Sequence, residues 1–419
     1  MALATGRGGY ARVVSSFALA ASLLATFSAG LQAQTARITA YEGARLIDGK
    51  GGAPVENAVV VVDGAKILAA GPSASVAVPA GAARVNLAGK TMMPMIIDAH
   101  VHLSQSRDGI VRDLKRRAWF GVSAVMSAGT DKYENLDLRA KVEPGSATFK
   151  SAGRGITMPE PGRITVPHWI NNEAEGRKAV EDLAANKVDI VKVWVDNRDG
   201  QFKKVTPEIY TAIIDEAHKR GLRVMAHIFD QEDGKGLIKA GVDILAHGIR
   251  DRDIDDEMVA VFKSRPNVVL TPNLPERGVK VDMSWMKAGL PADEFAKLEA
   301  QNVDSPKLAA FHAIQARNLA KLNAAGVKIA LATDGNRPWG PHDEMEDMVL
   351  AGMTPMQVLL ASTRNSAAAM DLKDQGTIEA GKSADLLVLD GNPLDDIKNT
   401  RRISAVVLRG EAVDRTKAP

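Results

Sequence analysis

His100 and His102 stand two residues apart near the end of the apolar run Met92 to Val101. Side chains alternate along a strand with period two, so both imidazoles project to one side and can grip a single metal ion. By itself a His-x-His pair is weak, and one buried histidine beside a surface one is the plain alternative. Its force comes from three further runs. His227 closes Val224-Met225-Ala226, and His247 closes Ile244-Leu245-Ala246 about one strand–helix unit later. Lys192 lies inside Val188 to Val195, a run apolar enough to be buried on both faces. Asp334 ends Ile329-Ala330-Leu331-Ala332-Thr333. Histidines, a buried lysine and an aspartate at successive strand ends are the residue types a dinuclear hydrolytic site needs.

Lys192 carries the sharpest chemical expectation. Burial disfavours the ammonium form and leaves a neutral amine. Such an amine can add to carbon dioxide, and the two oxygens of the resulting carbamate could bridge two metal ions. The alternative is an ordinary lysine at a strand mouth, paired with Asp196. Asp334 could bind a metal through one oxygen and take a proton from metal-bound water with the other. Reading it instead as a helix N-cap is weak, because the next helical pattern starts several residues later.

These residues need a scaffold that brings strand ends together. Candidate strands are Met92 to Val101, Ser123 to Ser127, Thr148 to Ala152, Asp189 to Val195, Arg223 to Ile228, Asp243 to His247, Asn267 to Thr271 and Lys328 to Thr333. Helical patterns separate most of them, such as Pro207 to Arg220 and Phe311 to Ala325, stopped by Gly221 and Gly326. The second connection is short and poorly patterned. Met345 to Ala351 and Pro355 to Met370 are helical patterns that follow Asp334. Eight such units predict an α/β chain folded as a (β/α)8 TIM barrel, with the site at the C-terminal strand ends. Both chain ends read as β-structure. Ala58 to Val62 leads through Asp63-Gly64 into Lys66 to Ala70, and Asp385 to Leu389 and Ala405 to Leu408 return near the C-terminus. The predicted division is a barrel over residues 92–373 and a small composite β-sandwich from residues 36–91 and 374–416.

Composition excludes several classes. The chain of 419 residues has 53 Lys+Arg against 51 Asp+Glu, so it carries no electrostatic footprint for nucleic acid or an anionic membrane. It has no cysteine, so any metal must be held by imidazole, carboxylate or something rarer. Arg7 and Arg12 precede an apolar stretch from Phe17 to Phe27 and then Leu31-Gln32-Ala33. That reads as a signal peptide over residues 1–33, with an exported, periplasmic or secreted product and no stable membrane association after cleavage. An uncleaved anchor is the alternative, though the apolar stretch is short for a span.

Taken together, these motifs resemble the amidohydrolase superfamily over nearly the whole mature chain. The likeness is to imidazolonepropionase-like and prolidase-like members, including Xaa-Pro and Xaa-Arg dipeptidases and ochratoxin-type amidases. Gly376-Thr377-Ile378-Glu379-Ala380-Gly381-Lys382-Ser383-Ala384-Asp385 matches the family's lead into its last β segment. One departure is Met93-Pro94-Met95, where the family shows Met-Pro-Gly. The resemblance implies that His100, His102 and Asp334 hold one divalent ion and His227 and His247 a second, with carboxylated Lys192 between them. The donor set suits zinc best and also accepts manganese, cobalt or iron. The implied partner is a small-molecule substrate, a dipeptide or an N-acyl or N-aroyl amino acid split by a metal-activated hydroxide. Its contacts are sought in loops, at His168 and Arg337 first, with Arg154, Arg163 and His342 beside them. His218 and His312 lie in helical patterns and read as structural. A lactonase or phosphotriesterase on the same bimetal site, a mononuclear deaminase and a non-catalytic exported binding protein are the alternatives. Barrels of this kind often assemble into homo-oligomers.

Overall fold

The computed structural model describes residues 38–419. The leader read over residues 1–33 lies outside the described residues. Eight parallel strands make the barrel, numbered here β1 to β8: Ile96–Val101, Val122–Ser127, Thr148–Ser151, Val191–Val195, Val224–Ile228, Ile244–Ala246, Val269–Thr271 and Lys328–Ile329. Continuous ladders join β1 to β3 and β4 to β8. The two arcs meet where Asp189 N–H donates to Ser151 O (2.9 Å) and where Ala99 N–H donates to Leu331 O (3.0 Å). Both faces of these strands are covered, which is why they read as unbroken apolar runs.

The predicted strand from Met92 to Val101 is in fact two strands. Thr91–Pro94 belongs to a sheet built from the chain ends, pairing with Ile38–Leu46 and Leu386–Leu389. The chain then crosses to the barrel at Met95, whose N–H donates to Asp385 O (3.1 Å), while Ile96 N–H donates to Gly121 O (3.0 Å). Both strands are buried, so hydrophobicity does not mark the crossing. The eight strands of the end-built sheet include the expected hairpin, Val55–Asp63 with Lys66–Pro72. Val60 and Val62 pack against Leu46, Ile67 and Leu386, whereas Val59 and Val61 pack against Ala40. The strand is thus covered on both sides, giving the small β-sandwich that accompanies the barrel.

Connections depart further from regularity. The second contains only a 3₁₀ helix, Tyr133–Arg139. The seventh runs over residues 272–327, and before its long helix it carries a 3₁₀ helix, Ser284–Gly289, and an α-helix, Ala292–Gln301. Its Met286, Leu290 and Phe295 share one apolar cluster with Trp119, Phe120 and Trp339, which fixes it against the barrel. The helix expected from Phe311 begins earlier, at Pro306, because Ser305 caps it by accepting from Leu308 N–H. The pattern Pro355 to Met370 contains a π-turn, Ala361–Asn365. There Ala361 O accepts from Leu331 N–H (3.0 Å) and Asn365 Nδ2 donates to Ile329 O (2.9 Å), so the last strand is held by a helix beyond residue 329. Among the described residues, no helix is long and apolar enough to cross a membrane.

Candidate metal centre and its cavity

The six predicted ligands converge at the C-terminal end of the barrel. Asp334 Oδ1 lies 3.1 Å from His100 Nε2 and 3.1 Å from His102 Nε2, and Oδ2 lies 3.5 Å from His247 Nε2. One donor atom each from His100, His102 and Asp334 falls within a 4.8 Å cluster. The His247 ring is 5.4 Å from that of His100 and 4.5 Å from that of His227. Lys192 Nζ sits 3.2 Å from His100 Nε2. It is wholly buried and has no carboxylate at ion-pair distance among the described residues. Asp196, its alternative partner, is engaged with His227 and Arg198 instead.

Each side chain is aimed by a neighbour. His102 Nδ1 meets Thr130 Oγ1 at 3.2 Å, leaving Nε2 toward Asp334. His227 Nε2 meets Asp196 Oδ2 at 2.9 Å, a carboxylate–imidazole contact that leaves Nδ1 for a ligand. The stem of Lys192 passes over Gly129, where a Cβ would come within 2.9 Å of its Cγ; with φ at +94°, only glycine suits that position. His247 (φ +80°) and Asp334 (φ +55°) hold left-handed backbone conformations, costing on the order of 1–3 kcal/mol each. The strain is borne by hydrogen bonds from His247 N–H to Thr271 O and from Asp334 N–H to His100 O, both 2.8 Å.

Asp98 is a residue supporting the site to which residue type alone assigned no role. Fully buried, it accepts from Thr333 Oγ1 (2.7 Å), Thr333 N–H (3.1 Å) and His100 N–H (3.3 Å). Arg117, also fully buried, donates to Asp98 (3.4 Å) and to Gly335 O (2.8 Å). This pair ties the first strand to the turn bearing Asp334. Burial pushes the Asp98 carboxyl up to about 6, against the opposing pull of Arg117. The faint sequence signal was an aspartate inside an otherwise apolar strand.

Electrostatics favour the forms a metal requires. Burial, with the charge of Lys192 nearby, lowers His100 to about 3, and burial also lowers His227 to about 3. Burial and Arg250 hold His247 well below its ordinary range. Burial lowers Lys192 to about 7, so a reactive neutral amine is accessible near neutrality. Burial pushes Asp334 upward, but His247 and His100 outweigh it and hold the carboxyl well below its usual range. Burial thus drives His100, His227 and His247 toward the neutral imidazole that a metal ligand must be. His247 Nε2 is buried without a hydrogen-bond partner. A buried ring nitrogen with no partner, aimed at Asp334, fits a divalent ion that would take the place of its proton.

A cavity of about 560 Å³ opens from Asp334. Met283, Met286, Leu298, Leu308 and Phe311 supply apolar wall, and Arg250, Asn273, Arg277, Arg337 and Glu344 supply polar wall. Arg337 therefore reaches the cavity, paired with Glu276 at 2.7 Å. His168 does not line it: its Nε2 meets Tyr133 Oη (3.0 Å) and Asp182 (3.1 Å), fastening the third connection to a helix. His342 also lies outside the cavity lining, buried between Thr400 Oγ1 (3.1 Å) and Phe120 O (2.9 Å). Arg154 donates to Val166 O (2.6 Å), and Arg163 pairs with Glu160. His218 pairs with Asp243 (2.9 Å), a structural tie.

A family model for the amidohydrolase family matches residues 91–413. The chain belongs to that family. Ochratoxinase of Aspergillus niger is 28% identical over 269 residues, 60% of this chain and 52% of that protein. The match thus spans about half the length of that relative. Imidazolonepropionase of Shouchella clausii is 24% identical over 86% of both chains. The crystal structure of a putative prolidase from Bifidobacterium longum superposes with a TM-score of 0.75 at 26% identity, covering 92% of this chain and 96% of its own.

Proposed function

We propose that this protein is a metal-dependent amidohydrolase that cleaves the amide bond of a dipeptide or an N-acyl amino acid. The observation that carries the reading is the meeting of His100, His102, His227, His247, Asp334 and an unpaired, buried Lys192 at one barrel mouth. His100, His102 and Asp334 would hold one divalent ion, His227 and His247 a second, with Lys192 carboxylated on Nζ between them; zinc suits these donors. Once bound, such ions would lower the pKa of a water and polarise the scissile carbonyl. Asp334 would accept the proton of the attacking water on a carboxylate oxygen and pass it to the leaving nitrogen. Asp196 and Thr130 keep His227 and His102 oriented while this happens. The cavity is of a size for a dipeptide, and its apolar wall suits a large side chain or acyl group. Likeness to ochratoxinase and to a putative prolidase supports an amide as the bond attacked.

The test is a mass-spectrometric hydrolysis screen with zinc and bicarbonate, each reaction repeated with chelator. Its panel holds dipeptides, N-acyl and N-aroyl amino acids, lactones, phosphotriesters and aminoheterocycles. Chelator-sensitive release of an amino acid is the expected result. Turnover confined to the last three classes would overturn the amide assignment.

A further inference from the structure

Arg250 differs from every other arginine around the centre. Arg277 is held by Glu346 (3.0 Å) and Asp347 (2.8 Å), Arg337 by Glu276 (2.7 Å), and Arg198 by Asp196 and by Glu160 (3.2 Å). Arg250 lines the same cavity, yet among the described residues no carboxylate stands at ion-pair distance from it. Its Nη2 donates to His247 Nδ1, and its Nε is buried without a partner. Its backbone is pinned by donation to Phe229 O (3.0 Å), so the side chain is anchored three residues beyond His247.

The one side-chain contact of Arg250 requires a lone pair on His247 Nδ1. A neutral imidazole has one N–H and one lone pair. If His247 gives Nε2 to an ion, its proton sits on Nδ1 and confronts the Arg250 N–H. If it gives Nδ1, the lone pair is spent. Either way the guanidinium loses its partner and is left as an unpaired cation on the cavity wall. We propose that Arg250 is the specificity-determining residue of this site: metal loading frees its guanidinium to receive the carboxylate of the substrate's amino-acid half. The planar fork of an arginine matches a carboxylate bidentately, and Arg250 alone among the cavity arginines is not already so engaged. The proposal rests on the amidohydrolase reading above, and it adds which residue selects the substrate and when it becomes available.

The experiment measures binding rather than turnover, on zinc-loaded protein whose metal content is counted by mass spectrometry. The probes are L-phenylalanine and L-phenylalaninamide, which differ in the carboxylate, titrated calorimetrically into wild type, Arg250→Met and Arg250→Lys. Wild type should prefer the carboxylate by roughly tenfold or more, the range of a charge-assisted hydrogen bond. Arg250→Met should bring the two ligands to within about twofold at unchanged metal content. Arg250→Lys, which keeps the charge and loses the fork, should fall between them. Metal-free wild type should show no preference. A tenfold preference that survives in metal-loaded Arg250→Met, is absent from metal-loaded wild type, or persists in metal-free wild type overturns the proposal alone. Failure of wild type to take up metal overturns the hydrolase reading together with it.

Discussion

The two sides of the site are built in different ways. The ligand side is carried by strands and their ends: His100, Lys192 and His227 lie within β1, β4 and β5, His247 follows β6 directly, and Asp334 lies five residues beyond the end of β8. The wall facing it is carried by connections, chiefly residues 272–305 and the start of the helix Pro306–Ala324. Strand positions are set by a ladder with fixed spacing, whereas a wall of packed side chains can be exchanged without moving the ladder. Changes on the ligand side should therefore abolish chemistry, and changes on the wall should redirect it.

The largest effect should come from Asp334→Asn. It removes the proton acceptor and one metal donor, so kcat should fall by about 10³–10⁴-fold with circular dichroism unchanged. A variant retaining more than a tenth of the activity would sink the proton-transfer role. Asp98→Ala should act on the fold instead. It strands the buried Arg117 without its carboxylate, and urea titration should record a loss of about 3–5 kcal/mol.

Lys192 offers a pH signature in metal-free, bicarbonate-free protein. Its folded pKa, about 7, is depressed from 10.5, so the unfolded chain binds the extra proton between those values. Stability contributed through this group therefore rises with pH across that window and is lowest below about pH 7. Lys192→Met removes the dependence, so its stability advantage over wild type should shrink between pH 7 and pH 9.5. An advantage that stays constant would contradict a buried, unpaired lysine.

Smaller effects follow outward. Asp196→Asn weakens the orientation of His227, and metal affinity should fall roughly 10–100-fold in competition with a chelator. Leu298→Ala touches only the apolar wall, where one lost side chain should raise KM for apolar substrates about tenfold or less while kcat holds. An equal loss in kcat would mean that the wall also positions the reacting bond.

Much of the ligand side was legible because period-two alternation and strand-end position survive in one dimension. His100 with His102, and His227 with His247, announce themselves by spacing. The loop contacts did not. His168 and His342 look like substrate contacts by residue type, but each is taken up by packing partners, Asp182 and Tyr133 for one, Thr400 and Phe120 for the other. Asp98 and Arg250 passed unnoticed because their importance lies in what they touch, or fail to touch.

Hydrophobic periodicity and the order of strand ends determined the barrel, its sandwich companion and the six residues at its mouth. Those features depend on local repeats that backbone hydrogen bonding turns directly into geometry. Only the tertiary structure decided where the chain leaves one sheet for the other at Met95, which carboxylate holds His227, and which arginine is left without a counter-charge. Each of those is a choice among partners far apart in sequence, made by packing and burial, and no spacing along the chain encodes it.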